Sequence, residues 1–511
     1  MRILVTGSSR GIGKCVFDQL KDEGHQVLGI ARSPSDESMH ALDVNATDDI
    51  LELVRTEWGE EKLNVVIHNA AMGYYGEFSQ QKPEQIVQMV NTNLLAPLKL
   101  THQLYPFLEA AVRAQEPAQV IFISSAHDVA STPLFATYTA TKAALSGLAR
   151  SLEREWAREG IQVLSVAMGP TNTSMHESIG LHLSDSTKKF FMKDSVAAKK
   201  IVRCVRKNKR GRVKVGALSW WVQFQASVRH FGRVLGSACA CSCRKRKSLK
   251  NQRVLVTGAA GGIGQAFVDI LKQEDALVVA TDRVAVKEED HVLFIPMDLT
   301  SPEQIQACAR EKISRDAKLT GIVMNAGLNV VGRFVDIPLT KHEIIVHVNF
   351  LGPLLLTHAL MTNDLLEASG WMVFLSSLSY FVGYPGASSY AAAKDGIASF
   401  ADCLHATAVF PGPTRTAMAA ACSPGDNDRA ASRMDPQAVA SLALQNGQKK
   451  RAIAIPGGQN KLFALLGVLC PKVMSCIMEK IIFDKVPQGS PLEIQIKEEE
   501  TTVEEDRVSI E

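Results

Sequence analysis

The sequence predicts an α/β protein made of two tandem doubly wound parallel sheets, and three observations predict it. The first is a long internal repeat. VTGSSRGIG at 5–13 returns as VTGAAGGIG at 256–264, NLLAPLKLT (93–101) as NFLGPLLLT (349–357), ISS (123–125) as LSS (375–377) and YTATK (138–142) as YAAAK (390–394), in unchanged order. The second is an alternation of short apolar runs (3–5, 65–67, 120–123) with polar-faced stretches of helical length. Buried parallel strands read as continuous apolar runs, so this is a βαβ pattern. The third is length: 511 residues exceed the ~100–200 that one hydrophobic core usually serves.

In each copy the first strand runs into a T-G-x-x-x-G-x-G loop and then a helix. Glycine there tolerates positive φ and lets backbone approach a pyrophosphate, while the helix N-terminus offers unpaired N–H donors. Gly7, Gly11 and Gly13, with Arg10 and Ile12 between them, fill these places in the first copy. Gly258, Gly262 and Gly264, with Ile263, fill them in the second. A tight turn is the plainer reading of a glycine triplet, but this one stands at a strand-to-helix junction twice.

The end of the second strand normally chooses between NAD and NADP, because a carboxylate accepts from the free ribose and a cation pairs with the extra phosphate. The copies align Ala31-Arg32 with Asp282-Arg283. The first half therefore reads as an NADP site, helped by Arg10 and Arg32, and the second as an NAD site through Asp282. The alternative for each arginine is a solvated surface side chain.

Further along, tyrosine and lysine four residues apart lie one helical turn apart on one face: Tyr138 with Lys142, and Tyr390 with Lys394. Ser125 and Ser377 each precede their tyrosine by thirteen positions. A single Tyr–Lys pair is more often a surface pair, but the ordered set occurring twice reverses that reading.

With these motifs in place, nearly the whole chain resembles the short-chain dehydrogenase/reductase family, as two consecutive Rossmann-type members. The resemblance implies hydride transfer between a nicotinamide and a carbonyl or secondary alcohol. Tyr138 would exchange a proton with the substrate oxygen and Lys142 would lower its pKa and hold the cofactor ribose. Ser125 would bind the carbonyl, and Asn93 would support a water relay to Lys142. Asn349, Ser377, Tyr390 and Lys394 would be the second set. Asp43 and Asp298 look like the family's adenine-contacting aspartates, Asn69 and Asn325 like the asparagines that steady the central strands, and Thr173 is placed to touch the nicotinamide carboxamide. Each of the aspartates and asparagines could instead cap a loop.

The pattern departs from the family in three places. The first half has HNAA at 68–71 where NNAG is usual, and MGPTNT at 168–173 where PG-x-x-x-T is usual. In the second half, Lys394 to Pro411 spans nine fewer residues than Lys142 to Met168. That removes about 13 Å of helix at ~1.5 Å per residue. The expectation is an active first half and a second half that is impaired or structural, the two forming an intramolecular pseudo-dimer. The alternative is a non-catalytic dinucleotide-binding scaffold.

Composition narrows the rest. Hydrophobic residues make up 46% and the net charge is only +3, so no nucleic-acid partner is expected. The ten cysteines show no C-x-x-C pair or zinc spacing, so neither metal nor disulfide framework is expected. A strand-like run at residue 3 points to the cytoplasm. Expected boundaries are 1–236 for the first domain, 237–250 for a Cys/basic linker containing RKRK, 251–485 for the second domain, and 486–511 for an acidic, disordered tail.

Apolar residues of 217–236 recur at helical spacing (Trp221, Phe224, Val228, Phe231, Leu235), and 461–483 is similar. Docked helices are the plainer reading, and neither holds the ~20 uninterrupted apolar residues needed to span a bilayer. Cys239, Cys241 and Cys243 beside RKRK raise peripheral membrane contact as a further expectation. The substrate is expected to be a hydrophobic carbonyl or alcohol, from Met175, Ile179, Leu181 and Leu183 in the segment after Thr173.

Overall fold

A computed structural model describes residues 1–239, 248–422 and 433–470, apart from 36, 129, 130, 286–288 and 314–316, and also 473, 474 and 477. Most of the linker, including Cys241, Cys243 and RKRK, lies outside the described residues, as does the acidic tail.

Each half is a seven-stranded sheet with helices on both faces. Counting only the strands of one sheet, both have the order 3-2-1-4-5-6-7, and every pairing is parallel. The first strands, Arg2–Thr6 and Arg253–Thr257, are central and buried nearly throughout. The order reverses beside them, between strands 1 and 4, which opens a crevice at the strand C-termini.

The nine-residue deletion falls where the sequence placed it. In the first half a helix, Ala136–Glu155, and a further turn, Trp156–Glu159, precede the strand Gln162–Met168. In the second, the helix Ser388–Cys403 is shorter and leads almost directly into Thr407–Val409. The sheet register nonetheless survives. Ser125 pairs with Met168, and Leu375, two residues before Ser377, pairs with Val409, two before Pro411. The lost chain therefore came from the far end of the helix and the turn behind it. Phe400 on that helix and Phe374 on the strand Leu366–Leu375 remain fully buried against each other.

The helices Ala136–Glu155 and Ser388–Cys403 lie against each other, and one apolar cluster runs through both halves. Two glycines allow the close crossing: a Cβ on Gly147 would overlap Asp395, and one on Gly396 would press on Phe350 and Ala144. Polar contacts pin the junction. Arg150 pairs with Asp395, and Arg333 bonds Glu159 at 3.0 Å and the Tyr105 hydroxyl at 3.2 Å. The buried Glu155 carboxylate accepts from the backbone N–H of Phe334 and, at 2.9 Å, of Gly386. Ser151 accepts from the N–H of Tyr384 at 3.1 Å.

Two tail helices, Ala217–Cys239 and Gly458–Leu469, also touch each other across the halves. The expected apolar stripe on the first is not wholly covered. Phe231 and Leu235 are half-buried, Val228 is exposed, and Ala226 and Val234 are the residues that are buried. The side chains of Trp221 and Phe224 lie outside what is described.

Candidate active site

The glycine loops have the backbone that a phosphate cradle needs. Gly7 and Gly11 take φ of +67° and +56°, and Gly258 and Gly262 take +65° and +57°. A Cβ on Gly13 or Gly264 would overlap the carbonyl oxygen of Gly7 or Gly258, so only glycine lets the helix start this close to the strand. Asn69 donates from Nδ2 to the carbonyls of Thr6 (3.1 Å) and Gly7 (3.0 Å). Asn325 does the same for Thr257 and Gly258, at 3.0 Å each. These asparagines tie strand 4 to the glycine loop. Ile12 and Ile263 pack half-buried against the core behind it.

At the end of the second strand, Asp282 Oδ2 accepts from the N–H of Ala260 in the glycine loop at 2.9 Å. Its other oxygen accepts from Arg283 N at 2.7 Å. Arg10 and Arg32 are exposed at the equivalent edge of the first half. Asp43 and Asp298 turn back on their own loops. Asp43 accepts from Asn45, and Asp298 accepts from the N–H and hydroxyl of Thr300 at 2.8 Å. Their loop-capping role is thus present in both halves.

The proton-handling side chains converge in the same way twice. Lys142 Nζ donates to the carbonyl of Ile123 at 2.9 Å, and Lys394 Nζ to that of Leu375 at 2.8 Å. The ammonium groups stand 5.9 Å from the ring centre of Tyr138 and 5.7 Å from that of Tyr390. Asn93 is buried in a π-helical turn, Asn91–Leu95, and exchanges hydrogen bonds of 2.9 Å with the backbone of Met72. Asn349, in the turn His347–Leu351, does so with Leu328 at 2.8 Å. Such turns re-aim a side chain, often at functional sites. Periodicity gave no sign of them.

Burial governs the electrostatics of these side chains. Each tyrosine ring keeps some surface open to the cleft, yet burial around the hydroxyl pushes both phenols up to about 12, against the opposing hydrogen bonds of Ser125 and Ser377. Burial also brings both lysines down to about 8. Burial is the largest influence on all four groups, and it disfavours the charged form of each.

A cavity of about 1250 Å³ opens over the second set. Its walls include Gly258, Gly262, Asp282, Asn325, Ser377, Tyr390 and Lys394. In the first half, Met175 and Ile179 close over the equivalent place: a Cβ on Gly73 would stand 3.0 Å from Met175, 3.5 Å from Ile179 and 3.6 Å from the Tyr138 ring. The sequence reading missed Thr416. It stands over Gly262 as Thr173 stands over Gly11, and PGPTRT (411–416) against MGPTNT (168–173) was the available signal. His68, where the first half departs from the family pattern, is structural. It is buried, stacks on Phe122, bonds Thr101 at 2.9 Å, and is brought down by burial to about 3.

The crevice, the paired glycine loops and the Ser–Tyr–Lys–Asn sets define a dinucleotide-binding class of α/β protein, twice over. The family model for short chain dehydrogenase matches residues 1–183 and 252–427, and the chain belongs to that family as two tandem copies. Among curated proteins it is similar to the NADPH-dependent 3-dehydrocapnine reductase of Ornithobacterium rhinotracheale, at 29% identity over 34% of this chain. It is also similar to the 3-ketodihydrosphingosine reductase of Bacteroides thetaiotaomicron, at 31% identity over 34% of this chain. In both cases the match spans 66% of the relative's length. A solved structure, an N-terminal ketoreductase from a macrolactin assembly line, shares the fold over 91% of this chain and 88% of its own, with a TM-score of 0.56 at 13% identity.

Proposed function

We propose that this protein is an NAD(P)-dependent oxidoreductase that reduces a hydrophobic carbonyl compound. The observation that carries this reading is the double convergence of a glycine cradle with serine, tyrosine, lysine and asparagine in one crevice. A nicotinamide dinucleotide, when bound, supplies the hydride. The loops Thr6–Gly13 and Thr257–Gly264 would hold its pyrophosphate, with Lys142 and Lys394 on the ribose. Ser125 or Ser377 would position the substrate oxygen, and the neutral phenol of Tyr138 or Tyr390 would donate a proton to it. The asparagine in its π-helical turn would carry the proton relay from lysine.

NADP for the first half follows from Arg10 and Arg32, and NAD for the second from Asp282. The two halves would act as an intramolecular pseudo-dimer, in the cytoplasm. The sequence alone favoured the first half as the active one; two observations support the second half instead. The open cavity lies over Tyr390. In addition Gly327, whose added Cβ would stand 3.1 Å from both Asn349 Oδ1 and Lys394 Nζ, is replaced in the first half by Ala71. A methyl group there crowds the space between asparagine and lysine that a relay water needs.

The test is oxidation of NADPH and NADH with a panel of apolar ketones and aldehydes by the parent, Tyr138→Phe and Tyr390→Phe. Loss of most turnover in Tyr390→Phe supports the second site, and loss only in Tyr138→Phe returns the activity to the first. Undiminished turnover in the doubly substituted protein overturns the assignment of both tyrosines, and nucleotide binding without turnover in the parent leaves the scaffold alternative.

A further inference from the structure

We infer that Asn329 sets the substrate class of the second site: a carbonyl compound that carries a neutral hydroxyl on a carbon near the carbonyl. The assignment rests on the oxidoreductase reading of that site and specifies what the site takes. Asn329 lines the cavity over Tyr390 and is only 6% exposed. Its Oδ1 is buried with no hydrogen-bond partner, and among the described residues nothing bonds its amide nitrogen either. Asn325 and Asn460, in the same wall, both donate to backbone carbonyls, at 3.0 Å and 2.8 Å. A buried amide without a partner is costly, so folded chains seldom keep one. One kept in the wall of a reactive cavity is held for a ligand.

The repeat shows where this side chain stands. HNAAMG (68–73) aligns with MNAGLN (324–329), which puts Gly73 at the place of Asn329. A Cβ on Gly73 would lie 3.6 Å from the Tyr138 ring, so a side chain at this position stands beside the tyrosine. The second half agrees. Val330 and Val331 pack in the clusters that hold Tyr390, and the backbone carbonyl of Asn329 accepts from Cys422 Sγ, in one of those clusters, at 3.6 Å. Val331, Ala387 and Met418 make the surroundings largely apolar. In the first half Gly73 and Ile179 replace Asn329 and Cys422, and neither has a hydrogen-bonding side chain. Chemistry then selects the ligand. A ketone with only hydrocarbon beside its carbonyl strips water from the amide and returns nothing, whereas a hydroxyl both donates and accepts there. A neutral amide has no charge to balance a carboxylate or an ammonium, so the recognised group is uncharged. The second site would therefore take the hydroxyketone and the first the plain ketone.

The test compares an apolar ketone with its analogues carrying a hydroxyl or a carboxylate on the first or second carbon from the carbonyl. The full chain is used in a Tyr138→Phe background, which silences the first site, with and without Asn329→Leu. Turnover is followed with NADH, and binding of the same compounds to the NADH-loaded protein is followed by calorimetry. The expected result is a kcat/KM for a hydroxyketone at least ~10-fold above that for the plain ketone, with the ratio falling to near one in Asn329→Leu. Asn329→Gly, which restores the first-half residue, is expected to lose the preference too and keeps the test decisive if the leucine variant unfolds. No preference in the parent, or one that both substitutions leave intact, overturns the inference. So does a preference for the carboxylate, which would assign recognition to Arg433 in the same wall. If no compound is turned over, the oxidoreductase reading fails by itself: a calorimetric preference for the hydroxyketone that Asn329→Leu abolishes still upholds Asn329, and its absence overturns both.

Discussion

Tyr390 and Lys394 hold their positions because both polar ends are tied to the sheet, the lysine through the carbonyl of Leu375 and the tyrosine through Ser377. The same arrangement in the first half carries Ala71 in place of Gly327, and its Asn93 also donates to the Thr141 hydroxyl at 3.0 Å where the second half has Ala393. At this scale Gly327→Ala is expected to lower turnover by the second site ~10-fold with little change in KM, because it disturbs the proton relay and not the pocket walls. Ala71→Gly is expected to raise turnover by the first. Steady-state kinetics in backgrounds carrying the other half's Tyr→Phe substitution would check both. The identities of these residues were legible in the sequence, since ordered motifs repeat with fixed spacing. Their protonation was not, because it depends on how much protein surrounds each hydroxyl.

Among the elements, the shortened crossover in the second half has the most to teach. Counting residues suggested a damaged site, but the nine residues came from the distal end of Ser388–Cys403 and its following turn, and the pairing of Leu375 with Val409 is kept. Sequence length registers that chain is missing, not which end of a helix gave it up. The crossing of this helix with Ala136–Glu155 was also hidden, as glycine and alanine on a helix face do not announce what they meet. Burial there pushes Glu155 and Asp395 up to about 7. The folded state then holds these protons more tightly than the unfolded chain, so stability present below about pH 4.5 is lost as pH rises through 7. Glu155→Gln is expected to have a melting temperature that gains on the parent's between pH 5 and pH 8. A constant difference across that range would count against a strained buried carboxylate.

For the whole molecule, the repeat gave two doubly wound parallel sheets, each with its glycine-lined turn, while the strand order came only with the structure. What the repeat could not give was how two copies divide labour or what their tails cover, because those depend on surfaces that meet only after folding. The proposed function rests on two nicotinamide-dinucleotide sites in one chain. Its most direct measurement is a calorimetric titration of the full chain with NADPH and with NADH, repeated on Gly13→Val and Gly264→Val, whose side chains would collide with the carbonyls of Gly7 and Gly258. Two nucleotides per chain are expected in the parent, with NADPH lost in the first substitution and NADH in the second. A parent that binds neither nucleotide, or stoichiometry unchanged by both substitutions, would contradict it.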